Sequence, residues 1–264
     1  VVINSVSGKM TYRGFIVSLP TNMHNNINIF FRFRWIIILI LLTFGNSETV
    51  AQQDTYKRPV VTDKLKHYKE QVSSDSTKRM VELKSLITGI KYDFRYASTN
   101  NFMKRLMYPA NTSVTFLRLP AANALKKVQQ ELKTKGFGLK IFDAYRPYAV
   151  TVKFWELVKD EDYVAHPRNG SGHNRGVAVD LTIINLANGI ELNMGTGFDN
   201  FSDTAHHSFT KLSKDILQNR TLLKSVMEKY GFKAYEKEWW HYSWPDAGKF
   251  EILDIEFSKL KKEL

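Results

Sequence analysis

The sequence predicts an α+β fold: a single compact domain with a central antiparallel sheet and helices packed on it. Three stretches carry that expectation. LPAANALKKVQQELKTKG, residues 119–136, repeats apolar residues every three or four positions, the period of one helix face. GVAVDLTII, residues 176–184, is β-branched and apolar, as a buried strand is. FKAY (232–235) and EWWHYSW (238–244) read as the two strands of a hairpin.

The elements follow in order. Residues 52–79 are polar and charged and are expected to form an N-terminal arm, with the compact domain over 80–264. VELKSLITGIKYDFRYAS suggests a short amphipathic element followed by strand-like alternation. In the 119–136 helix, Pro120 suits the first turn, where a missing N–H costs nothing, and Gly136 suits the position past the end. Ala121, Leu125, Val128 and Leu132 form its apolar face. GLKIFDAYRP reads as a strand running into a loop, and Pro147 opens a helix through VTVKFWELV. Residues 185–208 are a long polar loop, and a loop of that length within a compact domain is usually functional. TLLKSVMEKYG, 221–231, reads as a helix ended by Gly231. There is no internal repeat, P-loop or dinucleotide fingerprint.

Residues 1–51 are expected to be an upstream extension plus a secretory signal, with Met23 the better start. Arg32 and Arg34 flank an apolar run of ten residues, Trp35 to Phe44, and Thr49 and Ala51 fit the small positions before a cleavage point. Ten residues are too few for a span, which needs about 20. The expected location is periplasmic or secreted from a bacterial cell, with no stable membrane span after signal cleavage.

Composition narrows the chemistry. Hydrophobic residues are 43% and aromatic residues 13%, ample for a core, so the bulk of the chain is not disordered. Formal net charge is +12, of which Lys9, Arg13, Arg32 and Arg34 against Glu48 account for three. The remaining lysines are scattered without a long basic block or an aromatic-basic motif, so no nucleic-acid partner is expected. Cysteine is absent, which excludes disulfides and thiolate nucleophiles and leaves His, Asp and Glu as metal ligands.

Two stretches hold the candidate chemistry. SGHNRGVAVDLT, 171–182, sets His173 after a flexible turn and Asp180 inside an apolar strand. A buried carboxylate is costly without a partner or a metal. EWWHYSW sets Glu238 and His241 three apart. In a regular strand such residues face opposite ways, so either Glu238 sits on the loop entering the strand or the strand is bulged. Zinc hydrolases use three protein ligands and leave one position for water. His173, Asp180 and His241 supply two imidazoles and a carboxylate for one zinc ion. Glu238 then serves as the general base for the activated water, and delivers the proton to the leaving amine. DAYRP, 143–147, adds Arg146 to stabilise a tetrahedral oxyanion, with Asp143 to orient it.

SGHNRGVAVD resembles the S-x-H-x-x-G-x-A-x-D signature of zinc D,D-peptidases, and EWWH their E-x-x-H signature. With DFRYASTNNF, DAYRP, MGTGFD, the His206-His207 pair and GFKAYEKEWWHY, the order over residues 80–245 is similar to that of the D-alanyl-D-alanine dipeptidases, vancomycin-resistance type included. The resemblance implies a monozinc dipeptidase with its zinc site at the sheet cleft. Its ligands are His173, Asp180 and His241, its base Glu238 and its transition-state arginine Arg146. It also implies that Asp199 and Tyr96 hold the substrate's free amino terminus and places Ser171 among the substrate-binding residues. A carboxylate there rewards an α-ammonium and rejects longer peptides, whose amide nitrogen is uncharged. Gly172 stands where some relatives carry a second serine. The expected partner is a small D,D-dipeptide, with peptidoglycan fragments beside it. A wall carboxypeptidase or endopeptidase of the same family, and an inactive wall-binding zinc module, remain alternatives. The response to Asp199→Asn separates a dipeptidase from an endopeptidase.

Overall fold

The computed structural model describes residues 56–263, so the segment expected to be an extension and signal, 1–51, lies outside the described residues. In chain order the elements are β1 (Val61–Thr62), α1 (Leu65–Ser74), β2 (Met80–Glu82), α2 (Leu83–Leu86), β3 (Lys91–Tyr92), β4 (Phe116–Arg118), α3 (Leu119–Thr134), β5 (Phe137–Asp143), α4 (Tyr148–Val158), β6 (Ala178–Asn185), α5 (Lys214–Lys229), β7 (Lys233–Ala234), β8 (His241–Ser243), β9 (Ile252–Leu253) and α6 (Phe257–Lys261). The fold is α+β. Its main sheet runs β3-β5-β6-β8-β7, antiparallel from β5 to β7, with β3 added in parallel at the edge. Two small ladders, β2 with β4 and β1 with β9, lie outside it.

One face of the sheet is covered by α3 and α5. Leu125, Val128 and Leu132 of α3 and Leu223, Val226 and Met227 of α5 join Leu139, Ile141, Val179, Leu181, Ile183 and Tyr242 of the strands in one buried cluster. Side chains alternate along a strand, so Val179, Leu181 and Ile183 on the helical face send Ala178, Asp180 and Thr182 to the other. That second face is buried too, which is why the strand reads as largely apolar on both faces, with Asp180 and Thr182 the exceptions. Aromatic residues including Tyr96, Tyr108, Phe154 and Phe257 form a separate buried cluster.

The helix ends follow from sequence. Pro120 lies in the first turn of α3, and Gly136 takes the left-handed conformation beyond its end, at φ +80°. Pro147 caps α4, which Lys159 closes at φ 50°. Helix α5 begins at Lys214, seven residues before the expected Thr221. Its first two turns, KDILQNR, carry little apolar periodicity, so the sequence pattern hides them. Asp215 nonetheless favours a helix start there through the helix dipole.

The described part of the expected polar arm is docked. β1 pairs with β9, and Leu65, Tyr68 and Val72 form a stripe on α1 packed against the aromatic cluster. The Tyr68 hydroxyl accepts the Met80 N–H at 2.8 Å. The long loop after β6 is pinned by the buried Arg220. Its guanidinium donates to the carbonyls of Met194 (2.7 Å), His206 (3.0 Å) and Thr204 (2.8 Å). Among the described residues, no helix is long and apolar enough to cross a membrane.

Candidate active site

The sheet brings three chemical residues into one row. Asp180 of β6 stands opposite Asp143 of β5 on one side and His241 of β8 on the other. Regular pairing would not do this. Ile141 faces Leu181, so Asp143, two residues on, would share Ile141's face. A bulge between Ile141 and Asp143 inserts Phe142 and turns Asp143 onto the face of Asp180. Phe142 itself is buried in the helical-face cluster.

His173 comes from the loop preceding β6. That loop is tight: Val177 N–H donates to the Gly172 carbonyl, and Gly176 N–H to the His173 carbonyl. Gly176 is left-handed at φ +68°. A Cβ on Gly172 would lie 2.9 Å from the Ala178 Cβ, so a serine at this position has no room unless β6 shifts. His173 Nδ1–H donates to the Ala144 carbonyl at 2.7 Å, which leaves Nε2 with its lone pair 3.5 Å from Asp180 Oδ2. Asn174 ties the loop down. Its amide donates to the Arg146 carbonyl and Thr151 Oγ1 and accepts the Ser171 N–H.

Ligand atoms of His173, Asp180 and His241 all lie within 4.8 Å of one another. Burial, then the charge of Arg146, lowers the pKa of His173, so its imidazole is neutral. Burial lowers His241 as well. Burial, then Asp143, pushes the Asp180 carboxyl well above the usual range. Two neutral imidazoles and a carboxylate converging in a buried site form an electron-rich set that a divalent cation satisfies. The donor chemistry therefore fits a metal. His241 Nδ1 lies 2.9 Å from Asp180 Oδ1, and its Nε2 3.1 Å from Ser243 Oγ.

Around these three stand the remaining candidates. Arg146 donates from Nε and Nη2 to Asp143 Oδ2, at 3.0 and 2.8 Å, with Phe154 packed 4.8 Å from its guanidinium. Burial opposes its charge, but Asp143 holds its pKa above the usual arginine range. Asp199 sits in the left-handed region at φ +61° and accepts the Tyr96 hydroxyl on Oδ1 at 3.0 Å. Its Oδ2 is buried without a hydrogen-bond partner. Burial, then Asp180, raises the Asp199 carboxyl well above the carboxylate range.

Glu238 sits on the turn that enters β8, not in a bulged strand. Its N–H donates to the Tyr235 carbonyl, and its own carbonyl accepts the His241 N–H. The strand proper starts only at His241. Burial pushes the Glu238 carboxyl up to about 7. Oε2 lies 3.9 Å from His241 Nδ1.

Tyr96, Arg146, Ser171, His173, Asp180, Asp199, Glu238 and His241 all line one cavity of about 310 Å³, walled by Phe102, Phe154, Phe201 and Trp240. Sequence reasoning missed Tyr108, whose hydroxyl bonds Asp143 Oδ1, and Asn174; neither residue type in its local sequence signals a site. His206 and His207 lie outside this lining.

Residues 76–263 match the family model described as D-ala-D-ala dipeptidase, Peptidase_M15. A D-alanyl-D-alanine dipeptidase of Escherichia coli (strain K12) is 32% identical over 185 residues, covering 70% of this chain and 94% of the relative. Another from Enterococcus faecium is 33% identical over 180 residues, covering 61% of this chain and 88% of the relative. Among solved structures, the chain is similar to an LD-carboxypeptidase at 24% identity and a TM-score of 0.33, covering 60% of this chain and 70% of that one.

Proposed function

The chain belongs to the D-Ala-D-Ala dipeptidase family and is a peptidase, and on that footing we propose that it hydrolyses free D-alanyl-D-alanine with one zinc ion held by His173, Asp180 and His241. The observation that carries the choice of a free dipeptide is the buried, unpartnered Oδ2 of Asp199, a residue that lines the same cavity as the three ligands. A buried carboxylate oxygen without a donor calls for one, and the α-ammonium of a short substrate supplies it with charge. The Tyr96 hydroxyl occupies Oδ1 and leaves Oδ2 for that ammonium. An acylated amine brings no charge, so it leaves the desolvated acid uncompensated and is rejected.

When bound, zinc supplies Lewis acidity that lowers the pKa of water and polarises a carbonyl. Glu238 receives the proton given up by the attacking water and passes it to the leaving amine. A carboxyl raised to about 7 by burial is matched to both transfers near neutrality. Arg146 spends two N–H groups on Asp143 and keeps the others for negative charge developing in the cavity. His173 is held in one tautomer by the Ala144 carbonyl, so its Nε2 is fixed for the metal. Ser171 lines the same cavity and is assigned to substrate contact.

The signal-like layout of residues 23–51 supports an exported enzyme that acts on dipeptides released from peptidoglycan. The test is D-alanine release from D-Ala-D-Ala and from its N-acetyl derivative, with added zinc and with a chelator. Zinc-dependent cleavage of the free dipeptide alone is expected. Equal cleavage of the acetylated peptide would refute the Asp199 assignment.

A further inference from the structure

We propose that Tyr108 is a positioning residue for the reaction, its hydroxyl fixing the Asp143 carboxylate that in turn aims Arg146 into the cavity. The assignment rests on the reading of Arg146 given above.

The geometry of the Arg146–Asp143 pair is what demands a third member. Both guanidinium bonds, from Nε and Nη2, end on the same oxygen, Oδ2. A fork that meets two carboxylate oxygens locks both planes; a fork that meets one leaves the guanidinium to follow that oxygen. The direction of Arg146 therefore depends on how the Asp143 carboxylate is turned. Tyr108 sets that turn, donating to Oδ1 at 2.7 Å.

The alternatives open to Asp143 show what the phenol prevents. Oδ2 lies 3.8 Å from His173 Nδ1, whose N–H is at present given to the Ala144 carbonyl. Without Tyr108, Oδ1 loses its side-chain donor, and a rotated carboxylate competes for the His173 proton while releasing Arg146. Asp180 is also directly opposite Asp143 across the ladder, so two carboxylates share this site with one guanidinium. A hydrogen bond to Oδ1 disperses part of that negative charge.

Tyr108 is itself buried and held on several sides. Its N–H donates to the Tyr96 carbonyl at 2.9 Å, and its ring packs edge-on against Tyr96 (5.7 Å) and Phe257 (5.0 Å). Burial, then Asp143, raises the phenol's pKa, so it stays a donor. Residues 96–108 thus deliver two phenols to two buried acids, Tyr96 to Asp199 and Tyr108 to Asp143. Tyr108 does not line the cavity, so its action passes through Asp143 and Arg146.

The experiment compares wild type, Tyr108→Phe, Arg146→Lys and the double variant of the full protein on D-Ala-D-Ala, with zinc content and affinity for a phosphinate dipeptide analogue measured in each. Tyr108→Phe is expected to lower kcat about tenfold, the scale of one hydrogen bond to a charged group. KM and zinc content stay within twofold, and phosphinate affinity falls with kcat. The double variant is expected to be no slower than Arg146→Lys alone, because both changes act on the same guanidinium. Wild-type kcat in Tyr108→Phe beside an impaired Arg146→Lys, or losses that multiply in the double variant, overturns the Tyr108 assignment and leaves that of Arg146 standing. Wild-type kcat in Arg146→Lys overturns the reading of Arg146, and Tyr108's with it.

Discussion

Asp180 and His241 stand directly opposite each other across β6 and β8, with Oδ1 2.9 Å from Nδ1. Antiparallel pairing alone places two candidate ligands side by side, and the loop before β6 adds His173 against the same carboxylate. The site is a property of strand register, so a one-residue slip would turn Asp180 into the helical-face core.

Metal binding to this trio should appear as stability. Thermal melting of the wild-type protein is expected to rise with zinc and fall with a chelator. A ligand at a hundredfold excess over its Kd adds about 2.7 kcal/mol. In Asp180→Asn the zinc-dependent shift should vanish, while the metal-free variant still folds, because Asn keeps the shape and removes a desolvated charge. A full zinc shift in Asp180→Asn would remove that residue from the ligand set.

Asp199→Asn should lower kcat/KM for free D-Ala-D-Ala by about 10- to 100-fold, the worth of a charge-assisted hydrogen bond to the ammonium. Activity on the N-acetyl dipeptide should change little, so the preference for a free amine collapses. Steady-state kinetics on both peptides checks this.

His207 gives a pH dependence of stability away from the metal ligands. Burial, then Lys224, with Arg220 adding to the effect and Glu236 opposing it, lowers its pKa to about 4. An unfolded histidine titrates near about 6.5. Between those values the unfolded chain binds the extra proton, so stability rises with pH and is lost as pH falls from about 6.5 toward 4. Denaturant midpoints at pH 7 and pH 5 should differ less in His207→Leu than in wild type.

Gly176→Ala should destabilise the fold by more than about 1 kcal/mol, the usual cost of the left-handed region for a residue with a Cβ. A Cβ there would also lie 2.6 Å from the buried Met80 side chain. Equilibrium unfolding measures the change. The same turn carries His173, so zinc affinity should fall with it.

Much of this was legible in the sequence because it rests on local signals. Pro120 and Gly136 bound α3, and an acid within the apolar run of β6 points to a buried carboxylate with work to do. The eight residues drawn from the two signatures and their companions line one cavity. What was hidden depends on tertiary pairing. No local pattern announces the bulge at Phe142, yet it decides which way Asp143 faces. Tyr108 meets Asp143 across 35 positions, a contact invisible to periodicity. The segment before β2 read as a polar arm because only Leu65, Tyr68 and Val72 face inward, too sparse a stripe to outweigh its charge. Glu238 and His241, awkward three apart on a strand, are reconciled by a turn that ends where the strand begins.

The most direct test of metal-assisted hydrolysis at this cavity is turnover of D-Ala-D-Ala by Glu238→Gln, with zinc content assayed on the same sample. The expected result is one zinc per chain and a kcat lower by about 10²- to 10⁴-fold, the range lost with a general base. Wild-type turnover in the zinc-loaded variant would contradict it, because the proton would then be travelling through some other group.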